Sequence, residues 1–387
     1  MKIDIGARLL LASTIVLSGC SGFWDLPPSS GGGTTSTTLS SGYFYVLDVT
    51  TSQVISYNIV SGTLTLVGTA TVPSAPIAIT VAPNDQFLYV STLSGGIYLY
   101  TISSGILTLG NSSQAITSDP AVAMQVDSTD SWLVETSGQG TLNAVPIVSA
   151  SGQLNSSAPI CTNQSAICTV PLTGATIHQL AIAPNNKYIF TACATNGTEA
   201  FAFSAGSTNP FGSGSYATEL PFTNGTGASL SVAVDPSNRA LYVGETATSG
   251  SGGGLRVFTI GTNGALDEVS GSPYSSGGTG PYAILPKSTN DYVYVASWNG
   301  TSAGIVTGFS ISTSNSTFSL TKLSNTVSTG IKPMSLVEDK NDNFVLAESS
   351  GGSPNFDAYI FDTTTAGQLD LTNTSSTYAG AALAANH

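Results

Sequence analysis

Positive charge is scarce in this sequence. Nine Lys and Arg stand against 22 Asp and Glu, a formal net charge of −13 over 387 residues. A surface of that sign repels a phosphate backbone and excludes nucleic acid as a partner. Only 8% of residues are charged, yet 41% are hydrophobic, so the chain is not of the disordered class. Histidine is scarcer still: His178 is internal and His387 terminal. The four cysteines, Cys20, Cys161, Cys168 and Cys193, lie apart from them. A zinc site needs more nitrogen and sulfur ligands in one place than this. No Cys-x-x-Cys-His is present to attach a haem. Serine-based hydrolysis would have His178 as its one internal base, and no nucleophile elbow is recognised to serve it. The sequence implies no metal and no cofactor.

What is abundant is turn-forming residues, 42 Gly and 18 Pro among many Ser and Thr. Between them runs a recurring strand. In Phe87–Ser91 side chains alternate, Phe87, Tyr89 and Ser91 on one face and Leu88 and Val90 on the other. Matching segments end at Val46, Val90, Val134, Phe190, Val243, Val295 and Leu346, at intervals of 44, 44, 56, 53, 52 and 51 residues. Most are preceded by a short strand of small residues: Pro76–Pro83, Pro120–Asp127, Ile177–Pro184, Leu230–Pro236, Pro281–Pro286 and Pro333–Asp339. Repeats of about 40–50 residues with several short strands predict a β-propeller, its small-residue strands innermost. The first repeat lacks such a strand, and Tyr378–Asn386 is one with no repeat after it. Joining the two closes the ring and leaves no open edge. The expected fold is all-β, a seven-bladed propeller of four-stranded antiparallel blades over residues 43–387.

Upstream, Lys2 and Arg8 precede an apolar run, Leu9–Leu17, that is too short to span a bilayer. It ends in Leu17-Ser18-Gly19-Cys20. This resembles the lipobox of bacterial lipoproteins, which implies a signal peptide over residues 1–19 and acylation of Cys20. Residues 20–42, rich in Ser, Thr, Gly and Pro, read as a flexible tether. The expected location is the bacterial cell envelope, with the chain anchored to the membrane through Cys20. Ser21, rather than Asp, after the cysteine points to the outer membrane, on its periplasmic or surface face. In that oxidising setting Cys161 and Cys168, flanking a polar loop, are expected to form a disulfide, and Cys193 to be a buried small hydrophobe.

Strands of the Phe-Leu-Tyr-Val type after Pro-Asn-Asp or Pro-Ser-Asn turns accompany Gly-x-Leu hairpins at Gly62, Gly105, Gly152, Gly264 and Gly367. Together they resemble the seven-bladed lactonase family, whose reference activity is 6-phosphogluconolactonase. The family carries a His-x-His six residues before a turn proline. Here His178, six before Pro184, matches the second His, and Thr176 stands in place of the first. Glu245, just after the strand ending at Val243, matches a family glutamate. The family arginines are missing, with Leu230, Tyr282 and Met334 at their positions. Lys332 is the one nearby cation.

The resemblance implies a lactone hydrolase with His178 as general base and Glu245 as acid or partner. The missing guanidinium groups remove the means to grip a phosphate, so the first expectation is a binding or scaffold module for a protein or glycan partner. The alternative is a hydrolase of altered specificity, acting on an uncharged lactone. Trp298 and Tyr282, near an opening of the axis, are candidate ligand-binding aromatics. Asp127–Asp130 and Asp339–Asn343 gather oxygens of the kind calcium takes, but both fall on the polar turns of their repeats. The chain is expected to be a monomer.

Overall fold

The computed structural model describes residues 40–387, apart from 61, 95, 111–119, 156–166, 173–175, 213–215, 221–226, 247–252, 315–316 and 376–379. The expected signal peptide, Cys20, Cys161 and nearly all of the tether lie outside the described residues. No described helix is long and apolar enough to cross a membrane. Antiparallel strands form seven sheets, each a blade. The inner strands are Gly380–Ala385 in blade 1, then Pro76–Val81, Ala121–Val126, Gln179–Ile182, Ser229–Val234, Gly280–Pro286 and Ile331–Glu338 in blades 2 to 7. The second strands, each holding one of the seven repeat ends, are Ser40–Asp48, Phe87–Thr92, Trp132–Ser137, Tyr188–Ala192, Ala240–Glu245, Tyr292–Trp298 and Phe344–Gly351.

The ring closes as its sequence requires. Gly380–Ala385 pairs with Ser40–Asp48, with Val46 opposite Leu383 and Tyr45 opposite Ala384. Blade 3 is the irregular one. Its third strand, Thr141–Val148, pairs with two short pieces, Gln153–Leu154 and Cys168–Pro171, in place of one outer strand. The longest repeat interval, Val134 to Phe190, contains this detour. Cys168 is disulfide-bonded there, while Cys193 is free and buried. Burial pushes the Cys193 thiol up to about 12.

The core lies between blades. In Phe87–Thr92 the alternation expected from sequence divides two clusters. Phe87 and Tyr89 pack toward blade 3 with Leu133 and Val145. Leu88 and Val90 pack toward blade 1 with Tyr45 and Leu47. The Gly-x-Leu hairpins fit this scheme. Gly105, Gly152, Gly264 and Gly367 sit at positive φ, each directly against a ring in the first half of the preceding blade's second strand: Tyr43, Phe87, Tyr188 and Tyr292. The Tyr89 and Tyr294 hydroxyls donate to the carbonyls of Gly152 and Gly367, at 2.6 and 2.7 Å.

The polar turns between inner and second strands form a belt on one face. Asp85, Asp130, Asn186, Asn238, Asn290 and Asp342 all have φ between 54° and 64°. Short side chains that bond locally tolerate this left-handed region best. Most of them reach back to the previous turn. Asp130 accepts from Asn84 N, Asn186 from Ser128 N, Asn238 from Asn185 N and Asn290 from Ser237 N. Asp342 accepts from the Ser288 hydroxyl. Blade 1, made from both chain ends, has no such turn, and Lys340 bridges the gap to Asp85 at 3.2 Å. Asp127 and Asp339 are likewise spent on their own turns, each accepting backbone N–H groups through Oδ1. Asn238→Ala should cost about 1–2 kcal/mol, combining backbone strain with a lost hydrogen bond. Asn238→Gly should recover the strain part, as read from urea midpoints.

Candidate active site

The inner strands enclose two chambers along the axis, which share Ile79 and Leu383 as walls. The lower chamber, about 460 Å³, lies beside the turn belt and is lined mostly by apolar side chains and by His387. Several of its polar groups are already engaged. Gln125 Oε1 accepts from Ile182 N, Ser128 Oγ donates to Pro184 O and Asn186 Nδ2 donates to Asp127.

The upper chamber is smaller, about 230 Å³, and contains the candidate base. His178, Gln179, Tyr282, Met334 and Ser335 are among its walls. His178 just precedes the inner strand of blade 4 and is fixed by its backbone, whose N–H donates to Ala192 O at 2.9 Å. Its ring is accessible to solvent but recessed at the mouth. Desolvation, and after it the charge of Lys332, lowers its pKa below the usual 6.5. The imidazole is therefore neutral near pH 7 and makes no hydrogen bond among the described residues. Gln179 Oε1 accepts from Val232 N and ties blade 4 to blade 5.

Tyr282 and Trp298, each a candidate ligand-binding aromatic from the sequence, have ring centroids 6.4 Å apart. Tyr282 lines the chamber, and burial raises the pKa of its hydroxyl. Trp298 lies outside the wall, and its Nε1 donates to Ser302 O at 2.6 Å. A Gly-x-Ser-x-Gly spacing, against the expectation of none, occurs here at Gly300–Gly304. It lies in the loop after Trp298 rather than on a strand-to-helix turn, and the Ser302 hydroxyl donates to Asn299.

Glu245 is not brought to His178. It does not line the chamber, and it is nearly buried against Arg256 Nη1 at 3.1 Å. Arg256 also holds Glu268 at 2.8 Å and stacks over Phe258. Sequence reasoning missed Glu348. It stands two residues beyond Leu346, as Glu245 stands two beyond Val243, so the spacing could have found it. Among the described residues no arginine meets it and neither carboxyl oxygen has a hydrogen-bond partner; Glu348 is fully buried, and desolvation raises its pKa to about 8.

Residues 44–228 match the model of the lactonase family of seven-bladed β-propellers. Over that stretch, just under half of the sequence, the chain resembles the lactonase family. No curated protein matches it in sequence. Among solved structures, the propeller resembles the periplasmic gluconolactonase of Pseudomonas aeruginosa, with TM-score 0.65 and 14% identity over 89% of this chain and 98% of that one. A protein from Lactobacillus plantarum gives TM-score 0.68 and 16% identity over 89% and 99% of the two chains. One from Desulfotomaculum acetoxidans, of unknown function, gives 0.68 and 12% over 90% and 99%. At such identities the likeness establishes the fold of the propeller and nothing finer.

Proposed function

We propose that the protein hydrolyses an uncharged lactone in the upper chamber, with His178 as general base. The observation that carries this is the His178 ring itself: neutral near pH 7, unengaged by hydrogen bonds among the described residues, and facing an axial chamber beside a lysine. Such a group can take a proton from water as the water attacks a carbonyl. The family match and the fold shared with a gluconolactonase support this reading over the binding module that the sequence placed first. The absence of arginine at the family positions, with Leu230, Tyr282 and Met334 there, favours a lactone without phosphate. Arg256 engages Glu245, so no step is placed on that residue. The Tyr282–Trp298 pair offers a rim on which a sugar ring can stack. The lipobox at Cys20 supports a place at the bacterial cell envelope.

The test is hydrolysis of glucono-δ-lactone, its 6-phosphate and δ-valerolactone by the full chain, beside His178→Ala. Turnover of the neutral lactones should fall about 10²–10⁴-fold in the variant. Because the lowered pKa keeps the base neutral in mild acid, the acid limb of kcat/KM should lie below pH 6.5. Absence of turnover on all three lactones would sink the assignment.

A further inference from the structure

We propose that Lys332 supplies the missing positive charge of the site, its Nζ donating to the carbonyl oxygen of the bound lactone. This rests on the hydrolase reading above and assigns a second catalytic group to it. Lys332 enters from the inner strand of blade 7, across the axis from His178 at the mouth of blade 4. Two residues further along that strand, Met334 and Ser335, line the chamber. Its backbone has φ 55°, uncommon for lysine, just before a register shift that four other inner strands share. Irregularities of this kind re-aim side chains and cluster at functional sites. The ammonium lies 5.3 Å from the centroid of Tyr282, itself a chamber wall. Its field reaches His178.

The other cations near carboxylates are neutralised. Arg239 pairs with Asp235, Arg256 with Glu245 and Glu268, Lys287 with Glu338, and Lys340 with Asp85. Among the described residues Lys332 has no such partner. Lys332 is not itself a chamber wall, but an unpaired ammonium held over a wall aromatic, with a neutral base across the axis, suits a site where negative charge appears only during reaction.

The step balances without a further reactant. The oxygen of water bonds to the carbonyl carbon while His178 takes one of its protons. The carbonyl oxygen becomes the oxyanion held by Lys332. Collapse breaks the ring C–O bond, and the departing alkoxide receives the proton from His178, leaving a hydroxy acid.

The experiment compares the full chain with Lys332→Met and Lys332→Arg, on glucono-δ-lactone and by NMR titration of His178. Only two histidines are present, so the resonance is readily assigned. Loss of one oxyanion donor should lower kcat of Lys332→Met about 10²–10³-fold with little change in KM. Lys332→Arg should retain most of the rate. The His178 pKa should rise in Lys332→Met and stay near the parent's in Lys332→Arg. An active parent whose Lys332→Met variant keeps its kcat would overturn the role of Lys332 while leaving the hydrolase reading intact. An inactive parent would overturn both. An unmoved His178 titration in Lys332→Met would overturn the placement of Lys332 whatever the turnover.

Discussion

Glu348→Gln should make the protein more stable than the parent at alkaline pH. Glu348 lies on the face of its strand that Phe344 and Leu346 turn toward blade 1, in a cluster with Phe44, Val46 and Tyr57. Desolvation is the one influence on its carboxyl, which titrates at about 8 instead of 4.5. Between those values the native state holds a proton that the unfolded state has released. Stability is therefore fullest below pH 4.5 and is lost as pH rises, until the native group also ionises near pH 8. A shift of that size corresponds to about 4–5 kcal/mol in total, with about 2 kcal/mol of it between pH 6.5 and 8. Asp357, raised to about 6, adds a slope of the same sign at lower pH. The interval from pH 6.5 to 8, below the range in which the Cys193 thiol contributes, thus reports mainly on Glu348. Urea midpoints of parent and variant across that interval decide the matter: equal slopes would exclude Glu348 as the source.

Gly367→Ala should destabilise by about 3 kcal/mol, from left-handed backbone strain together with overpacking. A methyl group at Gly367 would fall inside the Tyr292 ring, and its φ of 79° disfavours any side chain. The hairpin cannot simply move away, because Tyr294 Oη donates to the Gly367 carbonyl at 2.7 Å. Gly68→Ala is the matched control. Nothing lies within 4 Å of the added carbon there, and the change should be nearly neutral. A comparable loss in both variants would show that the seam between blades 6 and 7 is not what Gly367 protects.

The ring was legible in the sequence because its determinants are local and repeated. A seven-fold recurrence of an alternating strand, six times with a small-residue strand and a polar turn before it, leaves little freedom in topology. The tail strand, Gly380–Ala385, was legible by subtraction, since one repeat lacked its inner strand. The site was only partly legible. His178 could be placed from its spacing to Pro184, but its relation to Lys332 depends on two blades meeting across an axis. Glu245 shows the opposite failure. Arg256 reads as an outer-strand residue remote from the motif, yet the ladder sets Val243 opposite Arg256 and Glu245 opposite Gly254. Glu245 and Arg256 are thereby diagonal neighbours, close enough to pair. Glu348 shares the offset of Glu245 and lacks that neighbour, a difference set by what faces it on adjoining strands.

Closing the ring with both ends of the chain also fixes which way the molecule looks. Tyr43 donates its N–H to Asn386 Oδ1 at 2.6 Å, so the first and last strands meet beside the lower chamber. His178 opens on the far side of the disc. Both ends of the described propeller therefore lie on the face opposite the histidine, and its upper mouth is framed by blades alone.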